Sequence, residues 1–361
     1  MPDNGTMETD LGRTLFIYNP VSQNGNGKFV ANEAITVLRE DFGMELEVRR
    51  TTHSGHAEGI AAEAAGFDTV IALGGDGLVH EVVNGLMAID FADRPRFALI
   101  PVGSGNDFAN TLGLEAVTKS DPVEAIERIL GGHEVTVDIG RCNDMYFAES
   151  VSFGLDAAIA IETMERRKRT GRTGTMLYLT SGLDQLMNHF DKYDFSMTLP
   201  EGSERERSHV ANEREPKVSR KLAKQRQRGS YMQIVETGDG EAATKPDVTV
   251  EGQMYLLAVQ NGPTYGGGFR ICPDASPTDG LLDICIAKSP LNQMKAVLVF
   301  LMAKDGHHAR FKQIDFYEAP SLRIAFEQEV PAQIDGEEMH GKEFEIEIMP
   351  KQLRVIADKR L

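Results

Sequence analysis

The sequence predicts an N-terminal parallel α/β domain followed by a domain built mostly of β-strands. Two observations lead to this prediction. Before Val135, four short strands are each followed by a turn and a helical pattern, which is typical of a parallel sheet with right-handed crossovers. After Val135 the strands alternate polar and apolar residues or cluster between glycine turns, which favours an antiparallel sandwich.

The first domain follows from its strand–turn–helix units in chain order. The strands are Thr14–Tyr18, Leu46–Arg50, Thr69–Leu73 and Phe97–Pro101, and the turns after them are rich in small polar residues and mostly in glycine. The carboxyl ends of parallel strands lie along one edge of the sheet, where α/β proteins bind ligands. Because glycine lets backbone N–H groups approach an anion closely, these turns predict a nucleotide-phosphate site at that edge.

The turn Gly74-Gly75-Asp76-Gly77 is the centre of this prediction. A helix follows it, with Leu78, Val82 and Leu86 on one stripe. Asp76 is unusual in a phosphate cradle because a bare carboxylate repels phosphate. It therefore predicts a metal ion or a donor hydroxyl between the two. The earlier turn after Tyr18 lacks the spacing of a Walker A loop.

The second domain is predicted to contain eight strands and three helices. The strands are Val135–Asp138, Tyr146–Ser150, Asp194–Leu199, Tyr231–Val235, Met254–Gln260, Leu281–Ala287, Leu322–Phe326 and Phe344–Ile348, and the helices are Asp156–Lys168, Gly174–Phe190 and Leu291–Ala303. Residues 201–230 are highly charged and poor in apolar residues, which predicts a mobile insertion. We place the domains at 13–138 and 139–349 and expect 350–361 to return to the first domain.

Composition excludes several classes of protein. The net charge of −17 argues against general nucleic-acid binding. We expect no membrane span, no export signal and, from three widely spaced cysteines, a reducing cytoplasm. The basic run Met164–Arg172 is equally consistent with a solvated helix end and with contact to anionic headgroups.

Four segments in order resemble the diacylglycerol/sphingolipid kinase superfamily, and most closely its bacterial soluble lipid kinases. They are IALGGDGLVHEVVNGL, IPVGSGNDFANTLGL, QNGPTYGGGFRICPDASPTDGLLDI and QIDGE. The similarity covers about Thr14 to Ala357 apart from the charged insertion. The resemblance implies an ATP-binding α/β domain and a β-sandwich domain, with transfer of the ATP γ-phosphoryl group to a lipid hydroxyl in the cleft between them.

The resemblance also implies site residues, motif by motif. The nucleotide positions are Asn19, Thr51, Thr52, Gly74, Gly75, Asp76, Gly77, Leu78, Val79, His80, Gly103, Ser104 and Asn106. Glu337 matches the base, and Asp76 and Asp335 are further carboxylates placed to hold Mg²⁺ or take the proton. A bound Mg²⁺ is implied at the PDASPTDGLLD turn, with the carboxylate of Asp279 and backbone oxygens of Ser276 and Leu281.

Several alternatives remain open at this point. Taken alone, Asp335-Gly336 is an ordinary hairpin turn and Asp107 an ordinary helix cap. Leu78 stands where the family usually has threonine, which motivates a catalytically silent nucleotide- or lipid-sensing homologue as one alternative. NAD kinase, which shares the Gly-Gly-Asp-Gly turn and a similar two-domain plan, is another.

The expected partners follow from the lipid kinase interpretation. They are ATP, Mg²⁺ and a lipid substrate met at the membrane surface by peripheral contact, without nucleic acid. The expected location is the cytoplasm, with transient membrane association. The sequence leaves open whether the chain forms a homodimer.

Overall fold

The computed structural model describes residues 9–25, 27–114, 122–172, 174–201, 203, 205–206, 233–236 and 247–358. The first domain contains a parallel sheet with the strand order β2-β1-β3-β4. Its strands are β1 (Thr14–Tyr18), β2 (Leu46–Arg50), β3 (Thr69–Gly74) and β4 (Arg96–Pro101). Its helices are α1 (Ser22–Gly25), α2 (Gly27–Glu40), α3 (His56–Ala62), α4 (Asp76–Met87), α5 (Asp107–Thr111) and α6 (Pro122–Leu130).

The central strands of this sheet are apolar because helices cover both faces. Every residue of β1 and β3 is buried, as expected of a parallel sheet enclosed on both sides. The inward stripe of α4, with Val82, Val83 and Leu86, packs into the same core. The turns after all four strands consequently meet at one edge of the sheet.

The second domain is a sandwich of two antiparallel sheets. Its strands are β5 (His133–Cys142), β6 (Met145–Phe147), β7 (Ser150–Gly154), β8 (Tyr193–Leu199), β9 (Arg205–Glu206), β10 (Gln233–Glu236), β11 (Val248–Gln260), β12 (Leu282–Lys288), β13 (Ile314–Ala319), β14 (Ser321–Phe326), β15 (Ala332–Ile334), β16 (Glu337–Met339) and β17 (Glu343–Ala357). Its helices are α7 (Leu155–Thr170), α8 (Thr175–Asn188), α9 (Gln293–Ala303) and a 3₁₀ turn, His307–Arg310.

Strand β11 belongs to both sheets of the sandwich. Its first half pairs with β8 and β10, and its second half pairs with β7 and β12. The register with β12 shifts between Met254 and Leu256, where the strand passes from one sheet to the other. One core fills the space between the sheets, and a second lies between the outer face of the β7–β12 sheet and helices α7, α8 and α9.

Two long strands, β5 and β17, cross between the domains. Strand β17 pairs with β14 in the sandwich, with β5 along most of its length, and with β4 of the first domain at Val355 and Phe97. An irregularity between Met349 and Leu353, with Lys351 at a φ of 56°, bends this ribbon. Residues 138 and 349 thus lie inside continuous strands, and the ribbon sets how the two domains face each other.

The predicted fold class is confirmed, with corrections to the strands. The strands β9, β13, β15 and β16 were not predicted. The sequence predicted a single strand over Tyr146–Ser150, but β6 and β7 are separate. The break falls at Ala148 and Glu149 because their N–H groups donate to the carboxylate of Asp335 instead of to a neighbouring strand.

Two predictions concern segments that the structure describes only in part. Most of the charged insertion 201–230 lies outside the described residues. The strand predicted over Tyr231–Val235 is described from Gln233 onward, as β10. Within the described ranges, none of the helices combines the length and the apolar character that crossing a bilayer requires.

Candidate active site

The glycine turns that follow β3 and β4 touch backbone to backbone. A Cβ atom on Gly75 would lie 2.8 Å from the Cα atom of Gly103, and one on Gly103 would lie 2.5 Å from the Cα atom of Gly75. Any larger residue would push the turns apart. Glycine at both positions therefore brings two strand ends together at the edge where the sequence predicts the phosphate site.

The carboxylate of Asp76 holds the second of these turns. Its Oδ2 accepts the backbone N–H of Asn106 at 2.9 Å, and its Oδ1 accepts that of Asp107 at 2.8 Å. The side chain of Asn106 closes the turn by accepting the N–H of Gly103 at 2.7 Å. Burial raises the pKa of Asp76, the backbone donors oppose this shift, and the charge of Asp335 adds to it.

Asp107 makes the corresponding link to the sandwich. Its Oδ2 accepts the N–H of Gly267 at 3.0 Å, and its Oδ1 accepts that of Gly268 at 2.9 Å. Burial and the charge of Asp76 raise the pKa of Asp107 to about 7. The interpretation of Asp107 as a helix cap is wrong, because its carboxylate points away from α5 to the glycine turn of the other domain.

A two-residue hairpin turn, Asp335-Gly336, carries another carboxylate to the opposite wall. Both residues have positive φ, 46° and 93°. Ile334 pairs with Glu337 across the turn. This is the geometry of a type I′ turn, in which Asp-Gly is favoured. The turn is therefore an ordinary hairpin and also borders the site.

Backbone groups hold the carboxylate of Asp335 in place. Its Oδ2 accepts the N–H of Ala148 at 2.8 Å, and its Oδ1 accepts those of Glu149 and Ser150 at 3.0 and 2.9 Å. The Nδ1 atom of His80 lies 3.4 Å from Oδ2. Burial alone would lower the pKa of His80, but the hydrogen bond and charge of Asp335 raise it above its ordinary value. Three N–H donors and the imidazole of His80 thus stabilise the negative charge of this carboxylate.

Glu337 differs from these held carboxylates because it is exposed at the start of β16. A Cβ atom on Gly77 would lie 3.7 Å from its Oε1 atom. Glu337 therefore faces the glycine turn after β3 across a narrow gap. Within the part of the chain that the structure describes, its carboxylate accepts no direct hydrogen bond, which leaves it able to act on a ligand.

These groups surround one cavity of about 520 Å³ between the two domains. That volume is typical of a small-molecule or cofactor site. The predicted residues that line it are Asn19, Thr51, Thr52, Gly75, Asp76, Gly77, Leu78, Val79, Gly103, Ser104, Asp335 and Glu337. Three other predicted nucleotide positions do not line it: Gly74, His80 and Asn106.

The sequence did not predict the wall that α7 contributes. Four residues at helical spacing line the cavity: Ala160, Thr163, Met164 and Arg167. Behind them, the hydroxyl of Tyr178 donates to the buried carboxylate of Asp156 at 2.8 Å. The helical spacing of these four residues could have predicted this wall, because the residues share one face of α7. The pairing of Tyr178 with Asp156 had no sequence signal.

Leu78, at the position where the family usually has threonine, is a core residue. Its side chain is 6% exposed and belongs to the hydrophobic core of the first domain. A Cβ atom on Gly74 would lie 2.4 Å from its Cδ2 atom. Leu78 therefore covers the end of β3 and presents an apolar edge to the cavity, where it offers no hydroxyl to a phosphate.

The turn predicted to hold Mg²⁺ lies outside the cavity lining. The Oδ1 atom of Asp279 accepts the N–H of Leu281 at 3.0 Å, and burial, with the charge of Asp138, raises the pKa of Asp279. Asp138 itself accepts the N–H of Gly280 at 2.8 Å. A cation would offset the repulsion between these two carboxylates, so the residues fit a hard divalent ion.

Such an ion would depend on backbone oxygens as well as on Asp279. Among the described residues, no group of three or more His, Cys, Asp or Glu side chains could hold a metal. Ser276 and Leu281, whose backbone oxygens are the other predicted ligands, lie in the same turn as Asp279.

Two family models together match most of the chain. The model of the diacylglycerol kinase catalytic domain matches residues 13–142. The model described as the YegS C-terminal NAD kinase beta sandwich-like domain matches residues 149–357. The chain belongs to the diacylglycerol kinase-like superfamily. The resemblance stated from the four motifs is thereby confirmed.

Individual members of this superfamily resemble the chain along nearly its whole length. The diacylglycerol kinase of Bacillus subtilis is 27% identical over 332 residues, which cover 91% of this chain and 90% of that protein. A protein of Chromohalobacter salexigens named "Probable lipid kinase YegS-like" is 30% identical over 331 residues, with 90% and 88% covered.

Solved structures show the same fold. A crystal structure described as a diacylglycerol kinase from Bacillus anthracis superimposes with a TM-score of 0.67, at 23% sequence identity. The superposition covers 97% of this chain and 98% of that one. The shared fold therefore includes both domains of this superfamily member.

Proposed function

We propose that this superfamily member is an ATP- and Mg²⁺-dependent lipid kinase. It would transfer the γ-phosphoryl group of ATP to the hydroxyl of diacylglycerol or of a related lipid, such as a sphingoid base or phosphatidylglycerol. The observation that carries the proposal is the position of Glu337, exposed and facing Gly77 across the cavity. Phosphoryl transfer depends on positioned phosphates and on a group that accepts the hydroxyl proton, and this arrangement supports both.

The first-domain wall of the cavity is proposed to bind ATP. Backbone N–H groups of Gly75–Gly77 and Ser104 would contact the phosphates, and the start of α4 adds its dipole at this point. Thr51 and Thr52, after β2, would contact the rest of the nucleotide, with Asn19 after β1. In this proposal residues 13–138 form the ATP-binding domain, and 139–349 form the lipid-binding domain.

The sandwich wall is proposed to act on the lipid hydroxyl. Glu337 would accept its proton as a general base. Asp335 would position Glu337 through the rigid hairpin, because the N–H donors that hold Asp335 also fix the turn. Mg²⁺, when bound, would supply charge neutralisation for the transferred phosphoryl group. A separate ion, held by the turn containing Asp279, would lie away from the cavity and have a structural role.

A kinase assay with γ-labelled ATP tests the proposal. The protein is incubated with mixed micelles of diacylglycerol, phosphatidylglycerol or sphingosine, and in parallel with NAD. We expect label in the diacylglycerol product, and a fall in kcat of at least about a hundredfold for Glu337→Gln. The matched control is Glu338→Gln, which changes the neighbouring exposed carboxylate of the same strand and does not line the cavity.

Two outcomes of this assay would contradict the proposal and support a different function. Label in NAD would assign the protein as an NAD kinase, a reading that the description of its second family model keeps relevant. ATP binding without turnover on any acceptor would favour a silent sensing homologue, which the apolar Leu78 motivates.

A further inference from the structure

Helices α8 and α9 form a paired layer on the outer face of the sandwich. A Cβ atom on Gly182 would lie 2.2 Å from the ring of Phe300, so the two helices are in close contact there. The side-chain amide of Gln293 donates to the carbonyl oxygens of Leu186 and Met187, at 2.7 and 2.9 Å. The later residues of α8 contact the earlier residue of α9, so the two helices are antiparallel. These contacts also fix the position of one helix relative to the other.

This layer carries most of the exposed large apolar side chains in the described part of the chain. Of nine exposed large apolar residues in the described part of the chain, five lie on α8 and α9. They are Met176, Met187, Met294, Leu298 and Leu301. Met294 is 80% exposed, and the three residues of α9 recur at i, i+4 and i+7. They form one stripe, opposite the buried stripe of Ala296, Val299 and Ala303.

The same side of the protein is locally basic. Residues 155–190 and 291–312, which contain α7, α8 and α9, have nine Lys and Arg against five Asp and Glu, whereas the whole chain has 38 against 55. Exposed basic residues end α7 at Lys168 and Arg169, and Lys304 follows α9. An apolar helix face with basic residues beside it is typical of a segment that lies in a bilayer interface.

The face also borders the cavity. Arg167 and Met164 of α7 line it. On the other side, the Nζ atom of Lys304 lies 3.5 Å from the carbonyl oxygen of Gly267, another lining residue. A lipid that enters from a bilayer beside this face would therefore reach the cavity that Glu337 also lines.

We propose that the stripe Met294–Leu298–Leu301, with the exposed methionines of α8, docks on an anionic lipid bilayer and directs the cavity towards it. The apolar side chains enter the interface, and the basic residues at the ends of α7 and α9 contact the headgroups. This inference rests on the proposed lipid kinase function. A second copy of the chain is a less suitable partner for this face. A two-fold contact through the face would bring the basic residues of the two copies together.

The test is vesicle binding by two surface variants. The first, Met294→Gln/Leu298→Gln/Leu301→Gln, removes the apolar stripe, and the second, Lys168→Gln/Arg169→Gln/Arg172→Gln, removes basic charge. Wild-type protein is expected to sediment with vesicles of phosphatidylcholine and phosphatidylglycerol, and less with phosphatidylcholine alone. We expect each variant to weaken binding to the mixed vesicles about tenfold or more. The control is Phe29→Gln, an exposed apolar residue of α2 in the other domain.

Unchanged binding by the stripe variant would overturn the docking proposal. If light scattering instead showed a wild-type dimer that this variant converts to a monomer, the stripe would be an interface between copies.

Turnover on detergent-dispersed diacylglycerol separates this proposal from the kinase assignment. The stripe variant should retain that turnover and lose it on vesicles. A protein without turnover on either substrate would contradict the proposed function, while its vesicle binding would still decide the docking surface.

Discussion

The carboxylate of Asp76 accepts the backbone N–H of Asp107 at 2.8 Å, and Asp107 in turn accepts N–H groups from Gly267 and Gly268. Two carboxylates thereby connect three glycine turns from both domains. The width of the cavity depends on this connection, because the glycine turns are its walls. The side chains of Asp76 and Asp107 therefore fix the positions of the backbone turns around the cavity.

Replacing Asp76 with asparagine should disturb the fold and the activity together. The amide of asparagine offers one acceptor oxygen where the carboxylate offers two, so an N–H of Asn106 or Asp107 loses its partner. We expect the free energy of unfolding to fall by about 1 to 3 kcal/mol. The proposed kinase kcat/KM should fall at least about a hundredfold, because the second glycine turn moves. Urea denaturation and the labelled-ATP assay measure the two effects.

Asp93→Asn is the control for this substitution, since Asp93 is an exposed carboxylate of the same domain. It should leave both quantities unchanged. Wild-type stability in Asp76→Asn, with activity lost, would show that Asp76 acts on the ligand and that its backbone hydrogen bonds contribute little.

Asp335 and Glu337 should respond differently to loss of charge, although they are two residues apart. Asp335→Asn leaves an amide nitrogen facing a backbone donor, so we expect the melting temperature to fall by several degrees. Glu337→Gln changes an exposed side chain and should leave the melting temperature within about one degree, while activity is lost. Differential scanning fluorimetry of both variants measures this. Equal losses of stability would contradict the assignment of Asp335 as the positioning residue.

The sequence predicted the first domain closely because its signals are local. A buried apolar strand, a glycine turn and a helical stripe follow one another within Thr69–Met87, and each signal depends only on near neighbours. The sandwich was harder to predict. The break between β6 and β7 arises because Asp335, far along the chain, captures the N–H groups of Ala148 and Glu149. No pattern within residues 146–150 indicates that partner.

The candidate site shows the same difference between local and distant information. The motif positions correctly indicated which turns meet, and most of them line the cavity. They did not indicate which carboxylates would be held by backbone donors. Glu149 had no predicted role, yet it is 5% exposed and its pKa is raised well above the ordinary value by burial and by the charges of Asp107 and Asp335. The burial and the raised pKa of Glu149 depend on contacts that form only when the chain folds.

Leu78→Thr should lower the stability of the protein and raise its affinity for ATP. Threonine would place a hydroxyl at the cavity edge and remove apolar contacts with Gly74 and the core. We expect the KM for ATP to fall and the free energy of unfolding to decrease by about 1 to 3 kcal/mol. Leu78→Val is the matched control, because it removes packing without adding a hydroxyl. An unchanged or higher KM for ATP in the threonine variant would contradict the prediction, as would an equal fall in KM for the valine variant.

Asp107 should make stability depend on pH between about 4 and 7. Its pKa is near 3.8 ordinarily and about 7 in the folded protein, so the folded state binds the proton more tightly than the unfolded state does. Linkage then requires the free energy of unfolding to fall as pH rises through this window and to level off above it. Asp76 and Glu149, whose pKa values are also raised, act in the same direction.

Comparison with Asp107→Asn isolates the contribution of this residue. Asparagine does not titrate, so the difference in unfolding free energy between pH 5 and pH 8 should be smaller in the variant by at least about 1 kcal/mol. The variant also lacks one carboxylate acceptor for Gly267 or Gly268, which lowers its stability without adding a titrating group. Urea denaturation at the two pH values measures the difference. An equal or larger pH dependence in the variant would mean that the Asp107 carboxylate keeps its ordinary pKa, because the two glycine N–H groups compensate fully for its burial.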